Sequence, residues 1–244
     1  MYKVSLLIAT YNSMDNLPIT LESICSQTYD NIEIVIVDGK STDGTVDLIK
    51  RFAHSTEMDV KWVSEPDNGL YDAMNKAYGM CTGDIIAVCN DRLYKKDAIA
   101  LFVKAIAKAE KSCIGAHSDL IYTQGDKIVR NWHMGDGDIA QGWMPGHPTL
   151  FLKREVYEKY GLYDTSFRCA ADYEFMVRFL KDRENKLAYI PDVLVAMFYG
   201  GTSNAGLKNY LVSFKEGYMA LRKNGVKYPL LITLKRTWKV LRQF

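Results

Sequence analysis

The sequence predicts an α/β domain whose mostly parallel sheet is flanked by helices, and three observations carry that reading. Short apolar runs at residues 4–9, 34–37, 60–64 and 85–89 alternate with stretches of helical spacing, the β-α-β-α-β-α-β order of a doubly wound sheet. The run Ile34-Val35-Ile36-Val37 is unbroken and β-branched, as in a strand buried on both faces. It leads into Asp38, Gly39 and a polar turn of Ser41, Thr42, Asp43 and Gly44. An acid and a glycine at the carboxyl end of a strand stand where open α/β sheets bind ligands. Taken alone, the stretch is equally an ordinary strand–turn–helix with a capping aspartate.

In chain order, the first strand ends in Thr10-Tyr11-Asn12. A helix over 17–27 follows, with Pro18 in its first turn and Leu17, Leu21, Ile24 and Cys25 on one side. After the 34–37 strand, Val46, Ile49 and Phe52 share a helical face. The 60–64 strand runs into Glu65-Pro66-Asp67-Asn68-Gly69, a turn by composition. Residues 70–78 then read as a helix and 85–89 as a buried strand. Past a helix over 96–109 the pattern changes: 120–122 and 128–132 flank Gln124-Gly125-Asp126 as an antiparallel hairpin. A glycine-rich loop over 133–146 precedes His147-Pro148, a strand over 149–152 and a helix over 154–160. Asp172 and Glu174 open another helix, with Phe175, Met176, Phe179 and Leu180 as its apolar face. Acids are favoured in a first helical turn by the helix dipole, which gives both a plain structural reading. A last strand over 194–198 leads to a flexible Gly200-Gly201-Thr202-Ser203.

Bulk properties narrow the function. The 244 residues suit one large domain, or one domain with a tail, and the 48% hydrophobic content supports a substantial core. A net charge of +2 from 31 basic and 29 acidic side chains gives no global field for nucleic acid. Cys25, Cys81, Cys89, Cys113 and Cys169 are scattered without a CxxC pair. This argues against a disulfide framework or zinc site and suits a cytoplasmic, reducing setting. No basic-then-apolar leader opens the chain and no run of about 18 apolar residues exists, so neither a signal peptide nor a membrane span is expected.

A dinucleotide is the usual tenant of such a sheet, but ATYNSMDN after the first strand has no glycine where GxGxxG is required. Phosphates would have to be met another way, and a metal ion is the natural candidate. Asp91, in Asn90-Asp91-Arg92 past the fourth strand, can hold a hard divalent cation against phosphate oxygens. A lone aspartate after a strand is also commonly a cap or turn residue.

The segments VSLLIATYNS, IEIVIVDGKSTDGT, SEPDNGLYDAMNKA, TGDIIAVCND, MPGHPTLFLKREVYEKYGLYD and AADYEFMVRFL together resemble glycosyltransferase family 2, the inverting nucleotide-sugar transferases of the GT-A fold. They occur in the family's order over residues 3 to about 200. The likeness is to bacterial enzymes that build surface polysaccharides such as capsule, O-antigen or colanic acid. The resemblance implies a GT-A domain over 1–205, with a nucleotide-binding half (1–95) and an acceptor half (96–205), and a C-terminal helical extension over 206–244. It places Thr10, Tyr11 and Asn12 in the nucleotide pocket and Asp38 on the base or ribose. Ser41 and Asp43 would shape the turn beneath. Asp67 and Asn68 would close over the donor, near Asn75 and Asn90. Asp91 would stand at the metal-binding acid motif, Asp172 would be the general base, and His147 would sit beside the donor phosphates or the acceptor.

The implied activity is transfer of a sugar from a UDP- or other nucleotide sugar to a hydroxyl of a glycan or polyprenyl-linked acceptor. Mg²⁺ or Mn²⁺ would offset charge on the departing diphosphate. The family pattern here usually reads Asn-Ser-Asp-Asp, whereas this chain reads Asn90-Asp91-Arg92, with a cation where a second acid is expected. Arg92 would either weaken metal binding or take over part of the phosphate neutralisation. An alternative is a nucleotide-sugar-binding protein whose turnover is weakened or lost. A glycoside hydrolase using Asp172 and Asp91 would leave the nucleotide-pocket segments unexplained. Over 227–244, Leu230, Leu234, Trp238 and Leu241 form a helical stripe beside Lys235, Arg236, Lys239 and Arg242. Such a helix suits the inner face of the plasma membrane. Packing on the domain, or on a partner subunit in a homo-oligomer, explains it equally well.

Overall fold

The structure, a computed structural model, describes residues 1–199 and 207–241 (for 207–210 and 241, the backbone alone). Its first part alternates as the apolar runs predict: β1 (Val4–Thr10), α1 (Leu17–Cys25), β2 (Ile32–Asp38), α2 (Thr45–Ser55), β3 (Asp59–Ser64), α3 (Leu70–Met80) and β4 (Ile85–Val88). β1 pairs in parallel with both β2 and β4, and β2 with β3. The register sets Thr10, Asp38 and Ser64 side by side at one rim. The spatial order β3-β2-β1-β4 reverses direction at β1. Loops leaving β1 and β4 therefore diverge and open a crevice outside their carboxyl ends. Tyr11 and Asn12 follow one strand there, Asn90 and Asp91 the other.

β1, β2 and β4 read as apolar runs because neither face meets water, whereas β3, at the sheet edge, is part-exposed. Alternate side chains enter two cores. Leu7, Val35, Val37 and Ile86 meet Ala73, Met74 and Ala77 of α3 on one face. Leu6, Ile8, Ile34 and Ile36 meet Leu21 and Ile24 of α1 and Ile49 of α2 on the other.

The chain continues through β5 (Arg92–Leu93), α4 (Ala98–Lys108), β6 (Cys113–Gln124), β7 (Lys127–Trp132), β8 (Phe151–Lys153), α5 (Arg154–Tyr160), α6 (Ala171–Leu180), β9 (Lys186–Phe198), α7 (Leu207–Lys223) and α8 (Pro229–Leu241). All the strands join one sheet in the order β3-β2-β1-β4-β8-β6-β9-β5, with β7 paired to β6. β8 lies antiparallel to both β4 and β6, which brings the second half onto the first. The expected hairpin is β6–β7.

Three expected strands differ in extent. Those at 120–122 and 194–198 are the ends of a 12-residue β6 and a 13-residue β9, which run parallel. The opening of β6, Cys-Ile-Gly-Ala-His-Ser-Asp, is buried throughout. It shows neither alternation nor a β-branched run, so no strand signal stood there. At 149–152 a tight 3-10 turn, His147–Thr149, holds the first position and pairing begins at Phe151. From α7 and α8, Ala220, Leu221 and Ile232 enter the same core as Phe175 and Phe179 of α6. Gly200, Gly201, Thr202, Ser203 and Arg242 lie outside the described residues. No described helix is long and apolar enough to cross a membrane.

Candidate active site

The two loops on the β1–β2 side of the crevice are stitched together by their own polar side chains. Asn12, at a positive φ of 46°, donates its N–H to Ser41 Oγ (2.7 Å) and accepts from Thr42 N on its amide oxygen (2.9 Å). Asp43 accepts from Met14 N (3.1 Å), Thr45 N (3.0 Å) and Thr45 Oγ1 (2.6 Å), which ties the start of α2 to the loop before α1. Ser41 and Asp43 thus tie the two loops together. Asp38 is fully buried and accepts from Ser41 N (2.9 Å), Ser41 Oγ (2.5 Å) and Ser64 Oγ (2.7 Å). Its carboxylate is turned into the protein and fixes the turn. Near this turn lie Tyr11, 64% exposed, and the half-buried Asp67. They converge on Gly39, where a Cβ would lie 2.6 Å from Asp67 Oδ2 and 3.3 Å from the Tyr11 ring. A side chain at position 39 would collide with Asp67 and crowd Tyr11. Thr10 is buried, and Asn68 is exposed with its N–H donated to Asp72 (2.9 Å).

Two further residues expected near the donor make hydrogen bonds within the protein. Asn90 Oδ1 accepts from Ala9 N (2.9 Å), joining β4 to β1. Asn75 both accepts from Tyr163 N (3.0 Å) and donates to Tyr163 O (2.8 Å), clamping the loop after α5. The Tyr163 hydroxyl meets His147 Nε2 at 2.8 Å. Burial holds the His147 imidazole below its usual pKa, against the opposing pull of the Asp172 charge.

Asp172 sits in the first turn of α6 and accepts from the Tyr71 hydroxyl of α3 (3.1 Å). Burial, and then the Asp172 charge, push the Tyr71 phenol well above its usual pKa, so it stays protonated and donates. The α6 N-terminus has no side-chain cap of its own. Glu216 of α7 supplies one from a distance, accepting from Arg168 N (2.9 Å), Cys169 N (2.7 Å) and Ala170 N (2.9 Å). Asp172 opens onto a cavity of about 250 Å³ that is also lined by His147, Tyr122, Trp132, Met197 and Arg236.

Asp91 lies outside this cavity but bonds to β9, a strand that contributes Met197 to its lining. Its Oδ1 accepts from Phe198 N (3.0 Å), next to the cavity residue Met197, and its charge acts on the Tyr122 phenol. Burial pushes the Asp91 carboxyl up to about 6, which the Phe198 N–H only partly offsets. Arg92 is exposed and lines a separate groove with Asp15, Asn16 and Glu22. Arg92 does not line the Asp172 cavity. No three acidic, histidine or cysteine side chains among the described residues gather to hold a metal. One carboxylate is still a fitting protein share for Mg²⁺ or Mn²⁺, which complete their shell with substrate phosphates and water.

Tyr71, Tyr163 and Glu216 escaped the sequence reading. Tyr71 and Asn75 are four apart on a helix and so share a face, a signal that was present. Glu216 had none, since its partners lie 46–48 residues away.

Residues 5–190 match the family model described as "Glycosyl transferase family 2". The chain belongs to glycosyl transferase family 2. It is 32% identical over 245 residues to a PGL/p-HBAD biosynthesis glycosyltransferase of Mycobacterium tuberculosis, covering 96% of this chain and 90% of the relative. Among solved structures it is similar to a mannosyltransferase from Pyrobaculum calidifontis in complex with GDP-Man and Mn²⁺ (TM-score 0.71, 20% identity, 97% of this chain and 69% of that one). It is also similar to S. aureus TarS 1–349 in complex with UDP-GlcNAc (TM-score 0.69, 16% identity, 96% and 66%). The fold is of the GT-A type and the family 2 chain is a glycosyltransferase. α7 and α8, and Glu216 with them, lie beyond the residues that the family model matches.

Proposed function

We propose that this glycosyltransferase moves a sugar from a nucleoside-diphosphate sugar to an acceptor hydroxyl in one inverting displacement, with Asp172 as general base. The observation that carries the reading is the placement of Asp172: held by Tyr71 and open to a cavity whose lining residue Met197 immediately precedes Phe198, the hydrogen-bond partner of Asp91. In the proposed step the acceptor oxygen attacks the anomeric carbon and its proton passes to Asp172. The bond from that carbon to the diphosphate oxygen breaks, and the nucleoside diphosphate leaves with the electron pair. Attack opposite the leaving group inverts the anomeric centre.

Tyr11, Asp67 and Gly39 form the nucleotide end of the crevice in this reading, above a turn set by Asp38, Ser41 and Asp43. Asp91, with donor phosphate oxygens, would hold Mg²⁺ or Mn²⁺, which when bound offsets negative charge on the departing diphosphate. Ligands named for the similar structures, GDP-Man with Mn²⁺ and UDP-GlcNAc, support a nucleotide-sugar donor. The biosynthetic name of the mycobacterial relative supports a glycan or lipid-linked acceptor in cell-envelope synthesis.

The reading is tested by melting the protein with a panel of nucleotide sugars, with Mn²⁺ or with chelator, while following nucleotide release. A native-state ligand raises the melting temperature. One donor should do so in a metal-dependent way and release its nucleotide when an acceptor is added. Stabilisation and release that persist undiminished in chelator would remove the metal. No response to any donor would remove the transferase chemistry.

A further inference from the structure

We propose that α8 docks this enzyme on an anionic membrane surface through its outward face. The inward face is packed: Ile232 and Thr233 are 3% and 1% exposed, and the Arg236 guanidinium lies 4.0 Å from the Tyr173 ring centroid. The other side carries Leu230 (55% exposed), Leu231 (52%), Leu234 (50%) and Trp238 (58%). At about 100° per residue these four fall within one arc of roughly 100°, centred opposite the packed side. Four large apolar side chains held outward together mark a surface that another phase covers.

Charge identifies that phase. Of the 31 basic side chains nine fall in residues 207–244, against one of the 29 acids. The preceding 206 residues are left with twenty-two basic and twenty-eight acidic groups. The lone acid, Glu216, is already spent on backbone N–H groups. α8 itself has no acid; Lys235 gives its Nζ to Gln141 Oε1 (2.9 Å), while Lys227 ahead of the helix and Lys239 at one edge of its apolar arc are exposed. A two-fold contact with a second copy would set this positive end against itself. Anionic lipid complements it, with the stripe buried among acyl chains and the lysines at the headgroups. The inner side of α8 lines the Asp172 cavity through Arg236 and Thr237, so docking sets the site at the bilayer.

The test is co-sedimentation of the full chain with phosphatidylcholine vesicles, with and without phosphatidylglycerol, independent of turnover. The protein should bind only the anionic vesicles and release in high salt. A Leu230→Ser/Leu234→Ser/Trp238→Ser variant should partition about tenfold less or weaker still, with an unchanged melting temperature. If that variant does not fold, Lys227→Glu/Lys239→Glu should show the same loss. Equal partitioning of variants and wild type overturns the proposal. So does a dimer that dissociates on the triple substitution while vesicle binding persists, since the stripe would then be a subunit contact.

Discussion

Tyr71 and Glu33 show what single side chains contribute here. Tyr71 spends its one O–H on Asp172, and its burial keeps that proton in place. Tyr71→Phe should lower kcat about tenfold, the value of one hydrogen bond to a charged group, with donor KM nearly unchanged. Steady-state kinetics read the split, and an unaltered kcat would remove Tyr71 from the positioning of the base. Glu33 is fully buried in β2 and accepts from Ser5 Oγ (2.5 Å), Lys61 Nζ (3.0 Å), Gly83 N (2.9 Å) and Thr82 N, with Lys3 Nζ at 3.1 Å. Burial pushes its carboxyl up, and these donors outweigh burial, so it lies well below the usual carboxylate range. The depressed folded value means a contribution present in full above the ordinary glutamate range and lost as pH falls through the acid region. Glu33→Gln should cost about 3 kcal/mol at neutral pH, as when one partner of a buried pair is removed. The deficit should shrink on acidification. Urea melts at both pH values measure it, and a pH-independent difference would contradict the linkage.

The helices and strands differ in how plainly they announce themselves. β1, β2 and β4 are buried on both faces, so unbroken apolar runs marked them. Even so, Glu33 escaped notice, because an acid in β2 resembles a strand boundary until Lys61 and Lys3 come alongside. The first half of β6 was illegible for a different reason: its Gly115, His117 and Ser118 are buried through tertiary packing. α7 carries the least legible part of the site. Its Glu216 caps the turn that presents Asp172, so Glu216→Ala should leave donor Kd unchanged and lower kcat about tenfold. Glu216→Gln, which keeps one acceptor oxygen, should recover part of the loss. Calorimetric donor titration beside turnover checks both, and weakened donor binding with intact kcat would show that Glu216 serves the nucleotide end instead.

At the scale of the molecule, the sheet order decides which parts of the chain can meet. The switch point between β1 and β4 fixes where the crevice opens, and β8 draws the second half onto the first, where Asp91 bonds to Phe198, next to Met197 of the Asp172 cavity. The positions of Asp38, Asp91 and Asp172 in the fold were legible in the sequence because each closes or follows a strand or opens a helix. Their division of labour was not: Asp38, Asn75 and Asn90 bond within the protein, which only long-range packing decides. Asp172→Asn tests the account most directly, because amide for carboxylate keeps the shape and the Tyr71 contact but removes the proton acceptor. Nucleotide-sugar binding by calorimetry should be unchanged while turnover falls about 10²–10⁴-fold. Turnover within about twofold of wild type would contradict the assignment of Asp172 as the base.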